Sequence, residues 1–489
     1  MNPLENNSTE SSIVSPISPV HLHCYVAGEP VISNEKLEVR FPFDNQLAGT
    51  VSLANSSHVE AAVRAALDGK MELTRYQRFQ ILDHTRQLLE ERREEFANLI
   101  TAESGLCIRE ALYETGRARD VLFFAATETL KDDGQIFSCD ISPNGKSRKI
   151  FTTREPLDLA VAITPFNHPL NQVVHKIAPA LAAGTPVILK PSEKTPLTAI
   201  RFVELLYEAG LPKPMLSVLL GPTVEVAEKL VRDPRVSLVS FTGSVAVGKK
   251  IASIAGYKKV ILELGGNDPL IILEDADLEL AVNLAAEGSF RNSGQRCTAV
   301  KRILVHEKIE EAFVNAFIEK AKTYVAGDPF APDTMVGTVI DEPAAKYLED
   351  VVNTAIAEGA DLRLGGKRRG ALLEPTVLTN VSRSSQMVVE ESFGPLAPIM
   401  RIKDLDDAIQ LANSTRYGLS SSIVTQNLEH ALKAVKLLKV GTVNVNEVPG
   451  YRLENSPFGG IKDSGLGVKE GVIEAMKCFS YVKTFSLPW

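Results

Sequence analysis

The feature that most constrains the fold is an alternation of short apolar segments with helical segments in the middle of the chain. Each apolar segment has the length of one strand and is almost free of charge, which is typical of strands buried on both faces. Helical segments between them would cover those faces, so the pattern predicts a parallel α/β sheet. The predicted strands are 159–164, 186–190, 215–220 and 236–241, and the predicted helices between them are 171–183 and 196–210.

The same alternation resumes after Glu263 and continues to about residue 446. A chain of 489 residues is too long for one hydrophobic core, so we expect a second parallel-sheet α/β domain there. Residues 1–20 are rich in serine, asparagine and proline and are expected to form a flexible tail. Apolar residues at helical spacing predict further helices over 57–70, 76–104 and 109–131.

A small β element is predicted apart from the two sheets. Residues 135–155 have the pattern of a hairpin that turns at Asn144-Gly145. Residues 478–486 have the pattern of a strand, and we expect this strand to pair with the hairpin. The predicted units are therefore 21–134 together with 156–262, then 263–446, and then 135–155 together with 447–489.

Composition argues against several classes of partner. The net charge is −8 and no basic block is present, which argues against nucleic acid and anionic membranes as partners. No apolar run reaches the roughly 18 residues of a membrane span, and the first ten residues lack the pattern of a signal peptide. The five cysteines are sparse and odd in number, which favours a reducing compartment and predicts a cytoplasmic protein.

Three separate stretches carry side chains that together suit chemistry on a carbonyl group. Cys297 follows Gly294 closely, and a glycine relaxes the backbone so that a thiol can face a cleft. Glu263 lies among apolar residues, and burial raises the pKa of a carboxyl group toward the range of a general base. Asn167, in I-T-P-F-N-H-P, supplies an amide donor. A thiol nucleophile, a base and an amide for an oxyanion are the parts of acyl chemistry.

Seven short motifs extend this pattern in one order along the chain. They are P-F-N-x-P, K-P-S-E, F-T-G-S, E-L-G-G-N, G-Q-x-C, E-x-F-G-P and S-P-F-G-G, between positions 165 and 460. In this combination and order they resemble the signatures of the aldehyde dehydrogenase superfamily. Family-like sequence extends from about residue 40 to the C-terminus.

The resemblance implies a fold with two parallel-sheet α/β domains plus a small β oligomerisation element, in a homodimer or homotetramer. It implies that 21–134 and 156–262 bind NAD, that 263–446 is the catalytic domain, and that 135–155 and 447–489 bridge subunits. It also implies NAD(P)-dependent oxidation of an aldehyde to a carboxylic acid. Cys297 would attack the aldehyde, Asn167 and the backbone N–H of Cys297 would hold the oxyanion, and Glu263 would activate water. Relatives that pass the acyl group to coenzyme A generally lack this glutamate, so its presence favours hydrolysis.

A nucleotide is expected beyond the carboxyl ends of the first set of strands. The G-x-G-x-x-G fingerprint is absent, but the resembled family dispenses with it. The resemblance implies that Lys190 and Glu193 bind the adenosine ribose. Ser244 would bind the diphosphate and Glu391 the nicotinamide ribose. The carboxylate of Glu193 favours NAD over NADP because it would repel a 2′-phosphate. No metal is expected. The remaining implied cofactor positions are Ile163, Thr164, Pro165, Phe166, Ser192, Gly221, Phe241, Thr242, Gly243, Leu264, Gly265 and Phe393.

Positions that line the substrate tunnel in the family carry basic residues in this chain. They are Arg117, His168, Arg296 and Arg452, with Thr298 next to the nucleophile. A guanidinium group pairs bidentately with phosphate-like oxygens, so the set indicates a small aldehyde with a dianionic group.

Other interpretations remain open on the sequence. Glyceraldehyde 3-phosphate is also a dianion that needs arginines, whereas sulfoacetaldehyde and succinic semialdehyde carry a single negative charge. A catalytically silent structural relative is the alternative outside enzymes, and the joint presence of Cys297, Glu263 and Asn167 argues against it.

Overall fold

The computed structural model describes residues 17–69, 71–468 and 470–489. The strands are β1 (Val20–His23), β2 (Tyr25–Val26), β3 (Glu29–Pro30), β4 (Lys36–Arg40), β5 (Leu47–Ser52), β6 (Ile136–Ser138), β7 (Arg148–Pro156), β8 (Ala160–Ile163), β9 (Val187–Lys190), β10 (Leu216–Val218), β11 (Leu238–Thr242), β12 (Lys259–Glu263), β13 (Asp268–Ile272), β14 (Val300–His306), β15 (Asp361–Leu364), β16 (Arg368–Arg369), β17 (Leu372–Leu373), β18 (Thr376–Thr379), β19 (Leu396–Ile402), β20 (Ser420–Val424), β21 (Thr442–Val445) and β22 (Ser480–Pro488). The helices are α1 (Ser56–Asp68), α2 (Arg75–Glu91), α3 (Arg93–Ser104), α4 (Ile108–Thr129), α5 (Asn171–Ala183), α6 (Leu197–Glu208), α7 (Lys229–Arg232), α8 (Val245–Ile254), α9 (Leu278–Phe290), α10 (Glu310–Ala321), α11 (Glu342–Ala357), α12 (Gln386–Val389), α13 (Leu405–Asn413), α14 (Leu428–Leu437) and α15 (Val472–Cys478).

Two seven-stranded sheets form the framework of the molecule. The first has the order β12-β11-β8-β9-β10-β2-β3, in which β12 to β10 run parallel and β2 and β3 add an antiparallel edge. The second has the order β15-β18-β19-β14-β13-β20-β21, which is parallel except for β15. Central strands such as β8, β9 and β11 are buried along their whole length, as their apolar sequences predicted.

A separate three-stranded sheet has the order β22-β7-β6. The predicted hairpin forms around a turn in which Gly145 N donates to Ser142 O at 2.8 Å. The C-terminal strand pairs with this hairpin along its full length, antiparallel to β7, from Ser480 opposite Pro156 to Pro488 opposite Arg148. The predicted pairing of the C-terminus with the hairpin is therefore confirmed.

The prediction of one continuous helix over 76–104 is wrong. Arg92 leaves the helical conformation, with φ −106° and ψ 22°, and separates α2 from α3. Both helices pack against α4, and the break lets the apolar face of each one reach it. Residues 1–16 of the predicted tail lie outside the described residues. Val20, the last residue of that predicted tail, belongs to β1 and pairs with Gly49 of β5. Within the described ranges, no helix combines the length and the apolar character that a membrane crossing requires.

Buried carboxylates position the helices that follow the strands of the first sheet. Glu114 on α4 accepts hydrogen bonds from the backbone N–H groups of Leu170 and Asn171 at 2.8 and 2.9 Å. Glu103 on α3 accepts in the same way from Leu197 and Thr198 at 2.7 and 3.1 Å. A carboxylate at a helix N-terminus satisfies donors that the helix leaves unpaired. These contacts therefore fix where α5 and α6 begin. Because the loop that carries Asn167 leads into α5, they also fix the position of that loop.

A buried ion pair attaches the C-terminal segment to the same helix. Lys176 on α5 is fully buried, and its Nζ lies 2.6 Å from Glu470 Oε1 and 2.9 Å from Ser240 Oγ. Although burial alone would raise it, the pKa of Glu470 is lowered, mainly by Lys176. Glu470 also pairs through its backbone with Phe458, so the ion pair holds the segment that contains Arg452 against the first sheet.

We expect Lys176→Met to destabilise the protein strongly, because it leaves the Glu470 carboxylate buried without its cation. Loss of one partner of a buried pair costs about 3–5 kcal/mol. The free energy of unfolding in urea, followed by circular dichroism, measures this cost. The double variant Lys176→Met/Glu470→Gln should recover a large part of it; a double variant as unstable as the single one would contradict the explanation.

Candidate active site

A cavity of about 590 Å³ lies at the carboxyl ends of β8, β9, β11 and β12 and reaches Cys297. This is the edge at which parallel α/β sheets bind ligands. Glu263 is the last residue of β12, and Asn167 belongs to the loop after β8. The structure thus brings the three candidate catalytic residues into one cavity, although they come from three separate stretches of sequence.

The backbone before Cys297 has an unusual conformation. Asn292, Ser293 and Gly294 are consecutive residues with φ of 58°, 52° and 69°. The left-handed region is costly for residues other than glycine, and it occurs where surrounding contacts enforce it. Here Asn292 Nδ2 donates to the carbonyl oxygens of Asn167 at 3.0 Å and Gln295 at 3.2 Å. This side chain therefore ties the nucleophile loop to the asparagine loop.

The amide of Asn167 points at the same loop. Its Nδ2 donates to the carbonyl oxygen of Gln295 at 2.8 Å. An amide group has two N–H donors, so one can hold Gln295 while the other bonds an oxyanion. The contact therefore fixes the amide of Asn167 beside Gln295, close to Cys297 in the chain.

The environment of the thiol explains why a base is needed. Burial raises the pKa of Cys297 to about 11, and the positive charges of Lys301 and Arg452 oppose this shift. At neutral pH such a thiol is protonated, so it becomes a good nucleophile only when a group nearby accepts its proton. Glu263, buried in the same cavity, is placed to take part in proton transfer.

All but one of the predicted cofactor residues line the cavity. Lys190 and Glu193 form an ion pair at the end of β9. Ser244 is the N-cap of α8 and accepts from Val247 N at 3.4 Å. Gly221 does not line the cavity; a Cβ there would lie 2.1 Å from the carbonyl oxygen of Ala54, so its close packing has a structural cause.

The predicted substrate residues lie outside the lining of this cavity. Arg117 on α4 binds Glu454 through its Nε at 2.5 Å, and the other oxygen of Glu454 is 2.6 Å from His175 Nε2. Burial alone would raise the pKa of Glu454, but His175 and Arg117 lower it. Arg117 therefore belongs to an ionic cluster with Glu454 and His175 and is not an isolated charge.

Arg452 differs from the other arginines. Its guanidinium lies 3.8 Å from the centroid of the Phe458 ring, and within the described part of the chain it forms neither a hydrogen bond nor an ion pair. Its charge is close enough to Cys297 to lower the pKa of the thiol and close enough to Arg117 to be affected by it. Arg452 therefore differs from Arg117 and Arg296 in having no polar partner in direct contact within the described part of the chain.

The other three predicted substrate residues have protein partners. Arg296 Nη2 donates to the carbonyl oxygens of Glu287 and Gly288 at 3.2 and 2.9 Å. Burial lowers the pKa of Arg296 to about 10. His168 Nδ1 is 3.3 Å from Glu114 Oε2. Thr298 packs against Gly450, where a Cβ would approach its Oγ1 to 2.3 Å, so it adjoins the loop of Arg452.

Residues 31–485 match the sequence model of the aldehyde dehydrogenase family. The chain belongs to this family. The predicted superfamily is confirmed, and so is the predicted fold, since solved structures of the family superpose on almost the whole chain.

Individual relatives of this aldehyde dehydrogenase have names that refer to charged aldehydes. The chain is 42% identical to the 3-sulfolactaldehyde dehydrogenase of Priestia aryabhattai, over 91% of this chain and 94% of that protein. It is 38% identical to the sulfoacetaldehyde dehydrogenase of Neptuniibacter caesariensis, over 91% and 97%. The NADP-dependent glyceraldehyde-3-phosphate dehydrogenase of Bacillus halodurans, solved with NADP, superposes with a TM-score of 0.93 at 34% identity, over 96% and 99%.

The cavity of this aldehyde dehydrogenase fits a nicotinamide dinucleotide. The N-terminus of α8 offers backbone N–H groups next to Ser244, as a diphosphate requires. The side-chain oxygen of Thr242 is buried without a partner in the described part of the chain. A Cβ at Gly265 would lie 2.1 Å from Glu391 Oε2. Any other residue at position 265 would therefore push the Glu391 carboxylate out of its position. These features suit a ligand with phosphate and ribose groups.

Several residues that line the cavity were not predicted from the sequence. The helical face of α8 contributes Val247, Lys250, Ile251 and Ile254, and the helical segment before β11, which ends with α7, contributes Thr223, Glu228 and Val231. Gln172 of α5 also lines the cavity. An amphipathic helix is expected to bury its apolar face in a core, so nothing in the pattern of α8 could distinguish a cavity wall from a core contact.

Cys297→Ala should abolish aldehyde oxidation, with a loss of at least about 1000-fold in kcat, because the alanine offers no nucleophile. NADH binding, measured by fluorescence, should persist, since the rest of the cavity is unchanged. Cys139→Ala, which changes a half-buried cysteine outside the cavity, is the matched control and should keep its activity. A Cys297→Ala variant with a tenth of the wild-type rate would rule out the assignment.

Proposed function

We propose that this aldehyde dehydrogenase oxidises a small anionic aldehyde to the carboxylic acid through a thioester on Cys297. The observation that carries the proposal is that Cys297, Asn167 and Glu263 line one cavity together with the residues implied to bind the cofactor. The names of two relatives, which refer to sulfonated aldehydes, support the anionic substrate. The same three residues argue against a silent structural role.

The proposed reaction assigns one task to each residue. Cys297 loses its proton and its sulfur attacks the aldehyde carbon. The side-chain amide of Asn167 and the backbone N–H of Cys297 stabilise the oxyanion that forms. Bound NAD supplies the hydride acceptor for the oxidation. Glu263 then removes a proton from the water that hydrolyses the thioester, and the acid leaves with Cys297 restored.

We propose NAD as the preferred cofactor. Glu193 at the end of β9 presents a half-exposed carboxylate on the cavity wall. A 2′-phosphate near this group would meet a like charge. Lys190 pairs with Glu193 and would reduce the effect, so the preference depends on how much of that carboxylate charge remains. NADP-dependent relatives exist, and kcat/KM with each cofactor decides the preference.

Glu263→Gln should slow hydrolysis of the thioester more than its formation. A stoichiometric burst of NADH should then precede a slow steady state in stopped-flow measurements. The amide keeps the shape of the side chain but cannot accept the proton of water. If burst and steady rates fall in the same proportion, Glu263 acts instead in the activation of Cys297.

We further propose phosphonoacetaldehyde as the substrate, with phosphonoacetate as the product. Phosphonate and sulfonate groups share three oxygens in a tetrahedral arrangement, but a phosphonate can carry a second negative charge. Arg452 forms no direct ion pair in the described part of the chain, although Glu454 and Glu470 interact with its charge at longer range, and Arg117 lies close to it. One guanidinium group near Cys297, with a second beside it, supports a dianion. Sulfoacetaldehyde and glyceraldehyde 3-phosphate are the rival substrates.

Arg452→Ala should lower kcat/KM for phosphonoacetaldehyde by about 30- to 3000-fold, the equivalent of about 2–5 kcal/mol for a charge-assisted pair. The kcat/KM for acetaldehyde, which has no anionic group, should change less than about tenfold. Arg369→Ala is a matched control, because Arg369 also lies near an aromatic ring, that of Phe43, but outside the cavity.

The wild-type enzyme should prefer phosphonoacetaldehyde to sulfoacetaldehyde and glyceraldehyde 3-phosphate in the same assay. A preference for sulfoacetaldehyde would replace the proposed substrate and keep the proposed chemistry. An equal loss for charged and uncharged aldehydes in Arg452→Ala would remove Arg452 from the substrate site.

We propose that residues 21–134 and 156–262 form the NAD-binding domain, that 263–446 form the catalytic domain, and that 135–155 and 447–489 join subunits in a cytoplasmic homodimer or homotetramer. The separate sheet supports the last point, because it exposes large apolar side chains. They include Ile136, Phe137, Val482, Phe485, Leu487 and Trp489. An exposed apolar patch of this kind is typical of an interface.

A further inference from the structure

A buried lysine lies next to the nucleophile and has no part in the proposed reaction. Lys301 is the second residue of β14, and its side chain is only 2% exposed. Its Nζ donates to the carbonyl oxygen of Arg296 at 2.6 Å and to that of Cys297 at 2.9 Å. Both acceptors belong to the segment that carries the thiol, so this ammonium group fixes the backbone of the nucleophile itself.

Two buried carboxyl groups accompany this lysine. Nζ of Lys301 lies 3.3 Å from Glu391 Oε1, which also accepts from Gly266 N at 3.1 Å. Asp268, the first residue of β13, accepts from Ser420 N at 3.1 Å. Burial raises the pKa of Asp268 to about 8, and Lys301 is the main influence that opposes this rise. The site beneath Cys297 therefore contains one ammonium and two carboxyl groups.

The charged groups around Cys297 come from several elements. Lys301 on β14 and Arg452 in the C-terminal segment lower the pKa of the thiol. Asp268 on β13 and Glu391 in the loop before β19 raise it. Glu263 at the end of β12 lines the same cavity. Lys301 has the largest effect of the positive charges, and burial, which raises the pKa to about 11, has the largest effect overall.

The neighbouring arginine shows what a purely structural cation does in this strand. Arg302 is fully buried, and its guanidinium donates to the carbonyl oxygens of Asn267, Leu411 and Ala412 at 2.7 to 3.0 Å. These acceptors join β14 to β13 and α13, away from the thiol. Arg302 therefore stabilises the sheet, whereas Lys301 binds the segment that carries Cys297.

We propose that Lys301 is a positioning residue for the nucleophile, which holds the carbonyl groups of Arg296 and Cys297 and stabilises the Cys297 thiolate with its charge. The inference rests on the proposed role of Cys297 as the nucleophile. The two effects support each other: the hydrogen bond to the Cys297 carbonyl fixes the peptide segment, and the charge of the ammonium group favours the ionised thiol. Because Lys301 also contacts Glu391, the same group connects the nucleophile to a residue implied to bind the cofactor.

Alkylation of Cys297 by iodoacetamide measures the thiolate directly. The cofactor-free enzyme is treated at about pH 9, and modification of the peptide that contains Cys297 is quantified by mass spectrometry. Only the thiolate reacts, and burial raises the pKa of Cys297 to about 11, so the rate at this pH is proportional to the small thiolate fraction. In Lys301→Met this rate should fall about tenfold or more, because removal of a nearby positive charge raises the pKa of the thiol.

Two further variants test the sign and the need for charge. Asp268→Asn should raise the rate, because it removes a negative charge that opposes ionisation of the thiol. Lys301→Arg keeps the positive charge, and its rate should lie closer to that of the wild type than to that of Lys301→Met. The inference is overturned if Lys301→Met, shown to be folded by circular dichroism and NADH binding, keeps the wild-type rate within about twofold. A loss of rate in Lys301→Arg as large as that in Lys301→Met also overturns it, because the charge would then have no effect.

Lys176→Met is the matched control for the loss of a buried lysine. Lys176 is also a buried lysine that pairs with a buried carboxylate. Its partners are Glu470 and Ser240, and neither belongs to the segment that carries Cys297. Its replacement should destabilise the protein and leave the alkylation rate of Cys297 unchanged; an equal loss of rate in both variants would overturn the inference, because Lys301 would then act only through stability. If Lys301→Met does not fold, Lys301→Gln is measured in its place and is judged by the same limit. Alkylation needs no aldehyde, so its result is independent of whether the proposed substrates are oxidised.

Discussion

The close approach of two loops beside the nucleophile is the constraint on which the rest of the site depends. A Cβ at Gly294 would lie 2.0 Å from the carbonyl oxygen of Gly394, and Gly294 also has a φ of 69°. Glycine alone permits both the conformation and the contact. Gly394 follows Glu391 in the same loop, so the segment that carries the thiol and the segment implied to hold the cofactor are placed relative to each other by this packing. A side chain at position 294 would separate them.

Charge neutralisation inside the fold is the second organising principle. A buried charge is tolerated when it is paired and hydrogen-bonded. Lys301 on β14 meets Glu391 in the loop before β19, and Arg117 on α4 meets Glu454 in the C-terminal segment, so each pair joins parts of the chain that are far apart in sequence. Such pairs form only when both parts of the chain are folded, so they connect correct assembly with the correct electrostatic field around Cys297. Arg452 is the exception: it packs on the Phe458 ring and has no direct ion pair in the described part of the chain, and Glu454 and Glu470 act on its charge only at longer range.

The limits of prediction from the sequence follow from these contacts. Uniformly apolar segments identified strands such as β8 and β9, because burial on both faces leaves a local signature. The positions implied to bind the cofactor all line the cavity except Gly221, whereas the wall formed by α8, including Ile251 and Ile254, was not predicted. The partner of Arg117 lies 337 positions away, and no local pattern in the sequence identifies it. The break at Arg92 was missed for a similar reason, since it depends on packing against α4 rather than on a proline or glycine.

The arrangement of charge also bears on which anion the site can select. Of the three arginines, Arg296 donates to backbone carbonyls and Arg117 is bound through Nε by Glu454. A sulfonate, with one charge, could be met by Arg452 alone, whereas the second charge of a phosphonate must draw on Arg117. The negative charge of Glu454 holds Arg117 in place but also offsets its field. Under the proposed function, selection of a dianion would therefore depend less on the number of arginines than on how strongly Glu454 neutralises Arg117, which it binds, and Arg452, whose charge it also affects.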